Sequence, residues 1–301
     1  MPKTVAVLGC GLIGSSWIAA FSTQCQTVKA WDPQHSVIRP DASSPIQWCD
    51  TPEDAVEGAD FVQESGPEDL AIKRELYARL SNKLAAHAIV ASSSSALLPS
   101  DLQAGLSFAE RVLVGHPFNP PHLIPLVEVV GGRDTAPSVL EEAVRFYKAI
   151  GKHPIRLNVE RKGHLANRLQ AAVWREAVDA VATGQATVQD VDAAVTYALG
   201  PRWALLGPFA TFHLGGGSGG LAHFIDHLGP VFEDLWDDAK RPTMTSELKR
   251  ELIDSTQKQL GGLSVDELTL LRNDRLKSIL RIAALQLSPE TRTSTVEKLN
   301  P

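Results

Sequence analysis

Two side chains twelve residues apart carry the strongest chemical signal in this chain. Residues 113–131 read Leu-Val-Gly-His-Pro-Phe-Asn-Pro-Pro-His-Leu-Ile-Pro-Leu-Val-Glu-Val-Val-Gly. His116 closes an apolar, strand-like run and opens a proline-rich turn; Glu128 stands inside the β-branched run Ile124–Val130. A carboxylate in such a run is costly unless it has a partner, and an imidazole is the natural one. A carboxylate on one ring nitrogen fixes the tautomer and stabilises the imidazolium, which leaves the other nitrogen to accept the proton of an alcohol. Taken singly, His116 is equally a turn histidine bonding backbone groups, and Glu128 a strand residue facing water.

A second signal lies near the N-terminus. Gly9-Cys10-Gly11-Leu12-Ile13-Gly14 fits GxGxxG, and it follows an apolar run and opens a helical pattern. In that context Gly9 makes a tight turn, Gly11 lets the backbone approach a pyrophosphate, and Gly14 lets helix and strand meet closely. Leu12 and Ile13 complete the first helical turn, whose positive end holds phosphates. Asp32 ends the next strand, eighteen residues after Gly14. Its carboxylate suits the hydroxyls of an adenosine ribose and repels a 2′-phosphate, so the pattern favours NAD over NADP. The bland alternatives are glycines that serve only a turn and a solvated acid at a strand end.

These residues need elements to hold them. Strand-like runs at Thr4–Leu8, Thr27–Trp31, Phe61–Glu64, Ala88–Ala91, Arg111–Gly115, Ile124–Val130 and His153–Leu157 alternate with helical patterns at Gly11–Phe21, Pro52–Gly58, Glu68–Ala86 and Ala136–Ile150. Such alternation predicts an α/β Rossmann-like, doubly wound, mostly parallel sheet. Strand patterns stop near residue 160. Helices are predicted over His164–Thr183, Val188–Tyr197, Gly207–His213, Gly220–Leu235, Thr245–Leu260 and Ser264–Leu287, and the polar tail Ser288–Pro301 reads as loosely held. The expected organisation is therefore 1–160 as a cofactor-binding domain and 161–301 as an all-α C-terminal domain. The length of 301 residues suits two domains. A net charge of −6 speaks against bulk nucleic-acid binding, and no apolar stretch reaches the ~20 residues of a spanning helix. Cys10, Cys25 and Cys49 lack metal-ligand spacing, so no metal site is expected; with no signal-peptide pattern, a reducing cytoplasmic setting is the simplest reading.

The strings GCGLIGSSW, FVQESGPEDLAIK, SSSSALLPS, GHPFNPPHLIPLVEVVGG and NRL, in that order, resemble the L-3-hydroxyacyl-CoA dehydrogenase family over roughly residues 4–285. The Ala-Trp-Asp-Pro turn and Gly200–Gly217 are most similar to the branch that contains L-carnitine dehydrogenase and lambda-crystallin, an L-gulonate dehydrogenase. The resemblance implies that His116 and Glu128 are the catalytic pair and that Ser95 and Asn167 donate hydrogen bonds to the reacting oxygen. It implies NAD as cofactor, a small-molecule 3-hydroxy acid as substrate and a homodimer formed through the helical domain. It also places Glu64 near the cofactor, although Glu64 equally suits capping of the next helix. Two departures stand out. Lys162-Gly163-His164 replaces the family's Pro-Gly-Phe, and only Pro33–Cys49, with three prolines, stands where the family has a long helical excursion. In CoA-using relatives that excursion helps hold CoA, so its loss points to a free acid, L-carnitine first and L-gulonate second.

In the second half, Arg202 could bind a carboxylate in a forked geometry. Trp203, Phe209 and Phe212 could face a quaternary ammonium, or form core and dimer contacts instead. The expected activity is NAD-dependent oxidation of an L-3-hydroxy acid with the histidine–glutamate dyad as general base. The rivals are a short-chain acyl-CoA dehydrogenase, a lysine-dependent β-hydroxyacid dehydrogenase and a non-catalytic, crystallin-like NAD-binding protein. Asn167, where the second would need lysine, and the intact residue set speak against the latter two.

Overall fold

The parallel strands are short apolar runs whose alternate residues enter two different cores. In β1 (Thr4–Leu8), Val5 and Val7 face one side while Ala6 and Leu8 face the other, all fully buried. The computed structural model describes residues 4–34 and 46–284. After β1 come α1 (Leu12–Ser22), β2 (Thr27–Trp31), β3 (Ile46–Trp48), α2 (Pro52–Val56), β4 (Phe61–Glu64) and α3 (Leu70–Leu80). Then follow β5 (Ile89–Ser92), α4 (Pro99–Gln103), β6 (Val112–Pro117), β7 (Leu126–Gly131), α5 (Pro137–Ala149) and β8 (His153–Leu157). The sheet order is β3-β2-β1-β4-β5-β6-β7-β8, with every pair parallel except the antiparallel β6–β7. On one face Trp17 and Phe21 of α1 stack at 5.0 Å beside Phe61, Phe146 and Tyr147. On the other, Tyr77, Leu80 and Leu102 cover Val62 and Val90.

Two differences from the sequence reading have local causes. The three-residue β3 lies in the proline-bearing stretch after Asp32 and is too short to show a period; residues 35–45 of that stretch lie outside the described residues. α3 begins later than Glu68 because the Asp69 carboxylate accepts the Ile72 N–H at 3.0 Å and caps the helix.

The chain divides into two compact units, Met1–Leu169 and Gln170–Pro301. From Gln170 onward the described elements are all helical: the body of α6 (Ala166–Ala182), then α7 (Val188–Ala194), α8 (Gly200–Leu205), α9 (Pro208–Gly215), α10 (Gly220–Asp238), α11 (Ser246–Gln259) and α12 (Val265–Ala284). The helix expected to end at Tyr197 instead runs through a π turn, Val195–Leu199, into α8, where Pro201 fits the first turn. The tail from Ser288 lies outside the described residues. The unit's buried core is small, centred on Val178, Val181 and Leu248. Among the described residues no helix is long and apolar enough to cross a membrane.

Candidate active site

The glycine loop is shaped by close backbone approach. Gly9 has φ +88°, and a Cβ there would lie 2.7 Å from the Gly66 nitrogen. A Cβ on Gly14 would lie 1.8 Å from the Gly9 carbonyl oxygen, which leaves only glycine room where helix crosses strand. At Gly11, by contrast, the space is open. No side chain caps α1, whose first turn carries the exposed Leu12 and the half-buried Ile13. Asp32 holds the loop: its Oδ2 accepts the Cys10 N–H at 2.6 Å and its Oδ1 the Gln34 N–H at 2.8 Å. Beside it opens a cavity of about 480 Å³ lined by Gly9, Gly11, Trp31, Asp32, Ser65, Gly66, Ile72 and Arg79, among others. An anion-accepting helix end, an unobstructed glycine and a carboxylate on the cavity wall fit a dinucleotide. Burial, reinforced by the Asp32 charge, pushes the Cys10 thiol up to about 12, so it is not a nucleophile at neutral pH.

Glu64 also reaches this cavity, but its carboxylate is taken up from within. It accepts from Lys73 Nζ at 2.6 Å, the Gly66 N–H at 2.6 Å, Ser92 Oγ at 2.7 Å and the Tyr77 hydroxyl at 2.9 Å. Glu64 and Lys73 are both buried. Asp69, not Glu64, caps α3; Glu64 instead shapes the Ser65–Gly66 loop. Burial, with the nearby Glu64 charge, holds the Tyr77 hydroxyl well above its ordinary range, so it stays a donor.

The antiparallel register of β6 and β7 sets His116 directly opposite Glu128. His116 Nδ1 lies 2.8 Å from Glu128 Oε2, and both residues are buried. A carboxylate accepts, so Nδ1 donates, and in the neutral form of the ring Nε2 is then the acceptor. Glu128 Oε1 accepts the Leu165 and Ala166 N–H groups, each at 2.9 Å, at the start of α6. Burial works against this carboxylate, but the His116 bond and the two backbone bonds outweigh it and hold its pKa below the ordinary range. Under β6, a Cβ on Gly115 would overlap the Tyr147 hydroxyl. That hydroxyl donates to Gln63 Oε1 at 2.6 Å, and Gln63 Nε2 donates to Ser93 Oγ at 2.8 Å, so a buried polar chain supports the strand that carries His116.

Ser95 sits exposed in the loop after β5. Its N–H and that of Ala96 donate to Glu68 Oε1 at 3.0 and 2.9 Å, as does the Ser94 hydroxyl at 2.6 Å. Asn167, in the first turn of α6, donates from Nδ2 to the Ser95 carbonyl at 3.4 Å. The structure thus links Ser95 to Asn167, and His116 to Glu128 and the start of α6, within the first unit. Sequence reasoning missed Glu68, Lys73 and the Gln63–Tyr147 pair; Gln63 and Lys73 are polar residues at buried positions of β4 and α3, whereas Glu68 is exposed in the loop between them.

Arg202, Trp203, Phe209 and Phe212 belong to the second unit. Arg202 Nε donates to the Ala198 carbonyl at 3.1 Å and the side chain is exposed. Trp203 is half-buried and Phe209 exposed. Phe212 stacks on Phe224 at 4.6 Å, so that face of its ring is already covered. Among the described residues no cluster of three His, Cys, Asp or Glu is placed to hold a metal.

Residues 38–161 match a family model described as 3-hydroxyacyl-CoA dehydrogenase, NAD binding domain, and residues 163–262 match its C-terminal domain. The first match starts after the glycine loop, so the loop's reading rests on its geometry. L-carnitine dehydrogenase of Streptomyces coelicolor is 40% identical, with 96% of each chain covered. That of Pseudomonas syringae is 37% identical over 92% of this chain and 94% of the relative. Among solved structures, an NAD⁺-dependent dismutase, 5-formyl-3-hydroxy-2-methylpyridine 4-carboxylic acid 5-dehydrogenase, superposes with TM-score 0.80 at 26% identity, covering 95% of this chain and 100% of its own. A 3-hydroxyacyl-CoA dehydrogenase from Archaeoglobus fulgidus does so with TM-score 0.65 at 25% identity, covering 94% and 100%.

Proposed function

The chain belongs to the 3-hydroxyacyl-CoA dehydrogenase family and is an NAD-dependent dehydrogenase, and from that premise we propose that it oxidises the C3 alcohol of a small free L-3-hydroxy acid to the ketone, with L-carnitine the first substrate to test and L-gulonate the second. The observation that carries the chemistry is the buried His116–Glu128 pair, which leaves Nε2 as the one ring acceptor. His116 Nε2 takes the alcohol proton, and Glu128 stabilises the imidazolium that forms. The Ser95 hydroxyl and the Asn167 carboxamide donate to the substrate oxygen and hold C3 in place. Bound NAD supplies the acceptor for the C3 hydride. The N–H groups above Gly11–Gly14 hold its pyrophosphate, and Asp32 its adenosine ribose.

Residues 1–160 would then serve the cofactor and 161–301 the substrate and dimerisation. The choice of L-carnitine is supported by the relatives named for it. Ile225, Leu228, Val231, Leu235 and Trp236 of α10 expose large apolar side chains, a face suited to a second copy of the chain. Three free cysteines suit a reducing, cytoplasmic setting. NADH absorbance with a panel of free 3-hydroxy acids and acyl-CoA thioesters tests the proposal: turnover of a free acid supports it. Turnover of thioesters alone moves the substrate to the CoA class, and no turnover removes the enzymatic reading.

A further inference from the structure

His164 is buried to 2% exposure and holds a left-handed backbone, φ +50°, directly after Gly163 at φ +77°. Few non-glycine residues adopt that region, though histidine is among the enriched ones. The double left-handed turn lies in the connection between β8 and α6, and the next two N–H groups, of Leu165 and Ala166, meet Glu128. The ring itself points elsewhere. Its Nε2 lies 3.0 Å from the Ser94 carbonyl oxygen, and its centroid is 5.2 Å from that of His116. A carbonyl only accepts, so Nε2 carries the proton and Nδ1 is a bare lone pair. Nδ1 is buried with no hydrogen-bond partner among the described residues. A phenyl ring would fill this space without stranding a nitrogen; what the imidazole adds is the bond to Ser94.

That bond closes a circuit. Glu68 Oε1 gathers the Ser94–Ala96 loop from one side through three donors. His164 and Asn167 hold the carbonyls of Ser94 and Ser95 from the other. Burial is the main influence lowering the His164 pKa, and the groups facing it are His116, Glu128 and Glu68, so the ring stays neutral around neutral pH.

We propose that His164 is a positioning residue whose Nε2–H fixes the Ser94–Ser95 loop against the His116–Glu128 pair, keeping the serine hydroxyl in register with the proton acceptor. The catalytic half of this statement rests on the roles given above to Ser95 and His116; the structural half does not. Two variants share the same backbone strain and differ in the bond: His164→Phe keeps the ring and loses the donor, and His164→Gln places an amide N–H near the Nε2 position. Amide hydrogen exchange of residues 94–97 is measured on the full chain of wild type and both variants, with β1 as internal reference and a thermal melt to confirm folding. Protection of the Ser95 and Ala96 amides is expected to fall about tenfold in His164→Phe and to recover in His164→Gln. With a substrate in hand, kcat should fall at least tenfold in His164→Phe at unchanged KM for NAD, and return to within about threefold in His164→Gln. Equal protection in the two variants overturns the proposal even if no 3-hydroxy acid is turned over. Retention of wild-type kcat by His164→Phe overturns its catalytic half.

Discussion

Replacing Glu128 by glutamine probes the proposed chemistry with almost no change in shape. The carboxylate has two acceptor oxygens in use: Oε2 for His116 Nδ1 and Oε1 for the Leu165 and Ala166 N–H groups. Glutamine has one acceptor. If its oxygen faces the start of α6, its NH₂ donates to His116 Nδ1, the ring proton moves to Nε2, and Nε2 can no longer take a proton from the substrate. If its oxygen faces His116, its NH₂ meets two backbone donors, and each unmet buried group costs about 1–3 kcal/mol. In both orientations the negative charge beside the developing imidazolium is gone. At about 4 Å between charge centres and an effective dielectric near 20, that charge is worth at most about 4 kcal/mol. At 1.36 kcal/mol per decade this is about a thousandfold in kcat, and amide replacement in comparable histidine–carboxylate pairs costs about ten-thousandfold. The assay is steady-state NADH formation, with KM for NAD and the melting curve as controls. Retention of more than about a tenth of wild-type kcat in a folded Glu128→Gln variant would show that the carboxylate does not set the tautomer.

Further outcomes follow from the same geometry. Ser95→Ala should lower kcat by about 10²-fold with little change in NAD affinity if its hydroxyl bonds the reacting oxygen; initial rates at saturating NAD check it. Asp32→Ser should relax the preference for NAD, read as the ratio of kcat/KM for NAD to that for NADP. Lys73→Met removes the cation from the buried Glu64 carboxyl, so it should destabilise the protein by about 3–5 kcal/mol, measured by denaturant unfolding. Because the pKa of Glu128 is depressed in the folded state, its contribution to stability is present above the unfolded carboxylate pKa and is lost as pH falls through the lower folded value. Unfolding free energies measured from about pH 5 downward should therefore fall less steeply in Glu128→Gln than in wild type.

Much of the first unit was legible because its strands are mostly short apolar runs and two of its turns carry glycines at positions only glycine can occupy. Gly9 and Gly14 are such positions, where a single added carbon would overlap backbone. The His116–Glu128 pair was legible for a different reason: an acid in an apolar strand demands a partner, and a short antiparallel return sets one opposite it. What escaped depends on three-dimensional neighbours. β3 is too short to display a period. The Glu64–Lys73–Tyr77–Ser92 cluster spans two strands and a helix, so no local spacing announces it. His164 stood out as a departure in type, but its bond to Ser94, seventy residues earlier in the chain, exists only once the start of α6 and the serine loop meet. For Phe212 the sequence left an aromatic face and a packing contact as alternatives; its stacking on Phe224 arises only from the pairing of α9 and α10.

The central claim, that His116 takes the proton of a 3-hydroxy acid while hydride passes to NAD, is tested most directly by comparing wild type with His116→Gln. The assay follows NADH formation from L-carnitine, L-gulonate and short 3-hydroxyacyl-CoA thioesters, with NAD binding measured separately. The account predicts turnover of a free L-3-hydroxy acid by the wild type and a loss of at least about 10³-fold in kcat for the variant, at nearly unchanged NAD affinity. Wild-type-like turnover by His116→Gln, or NAD binding without turnover of any 3-hydroxy substrate by the wild type, would contradict it.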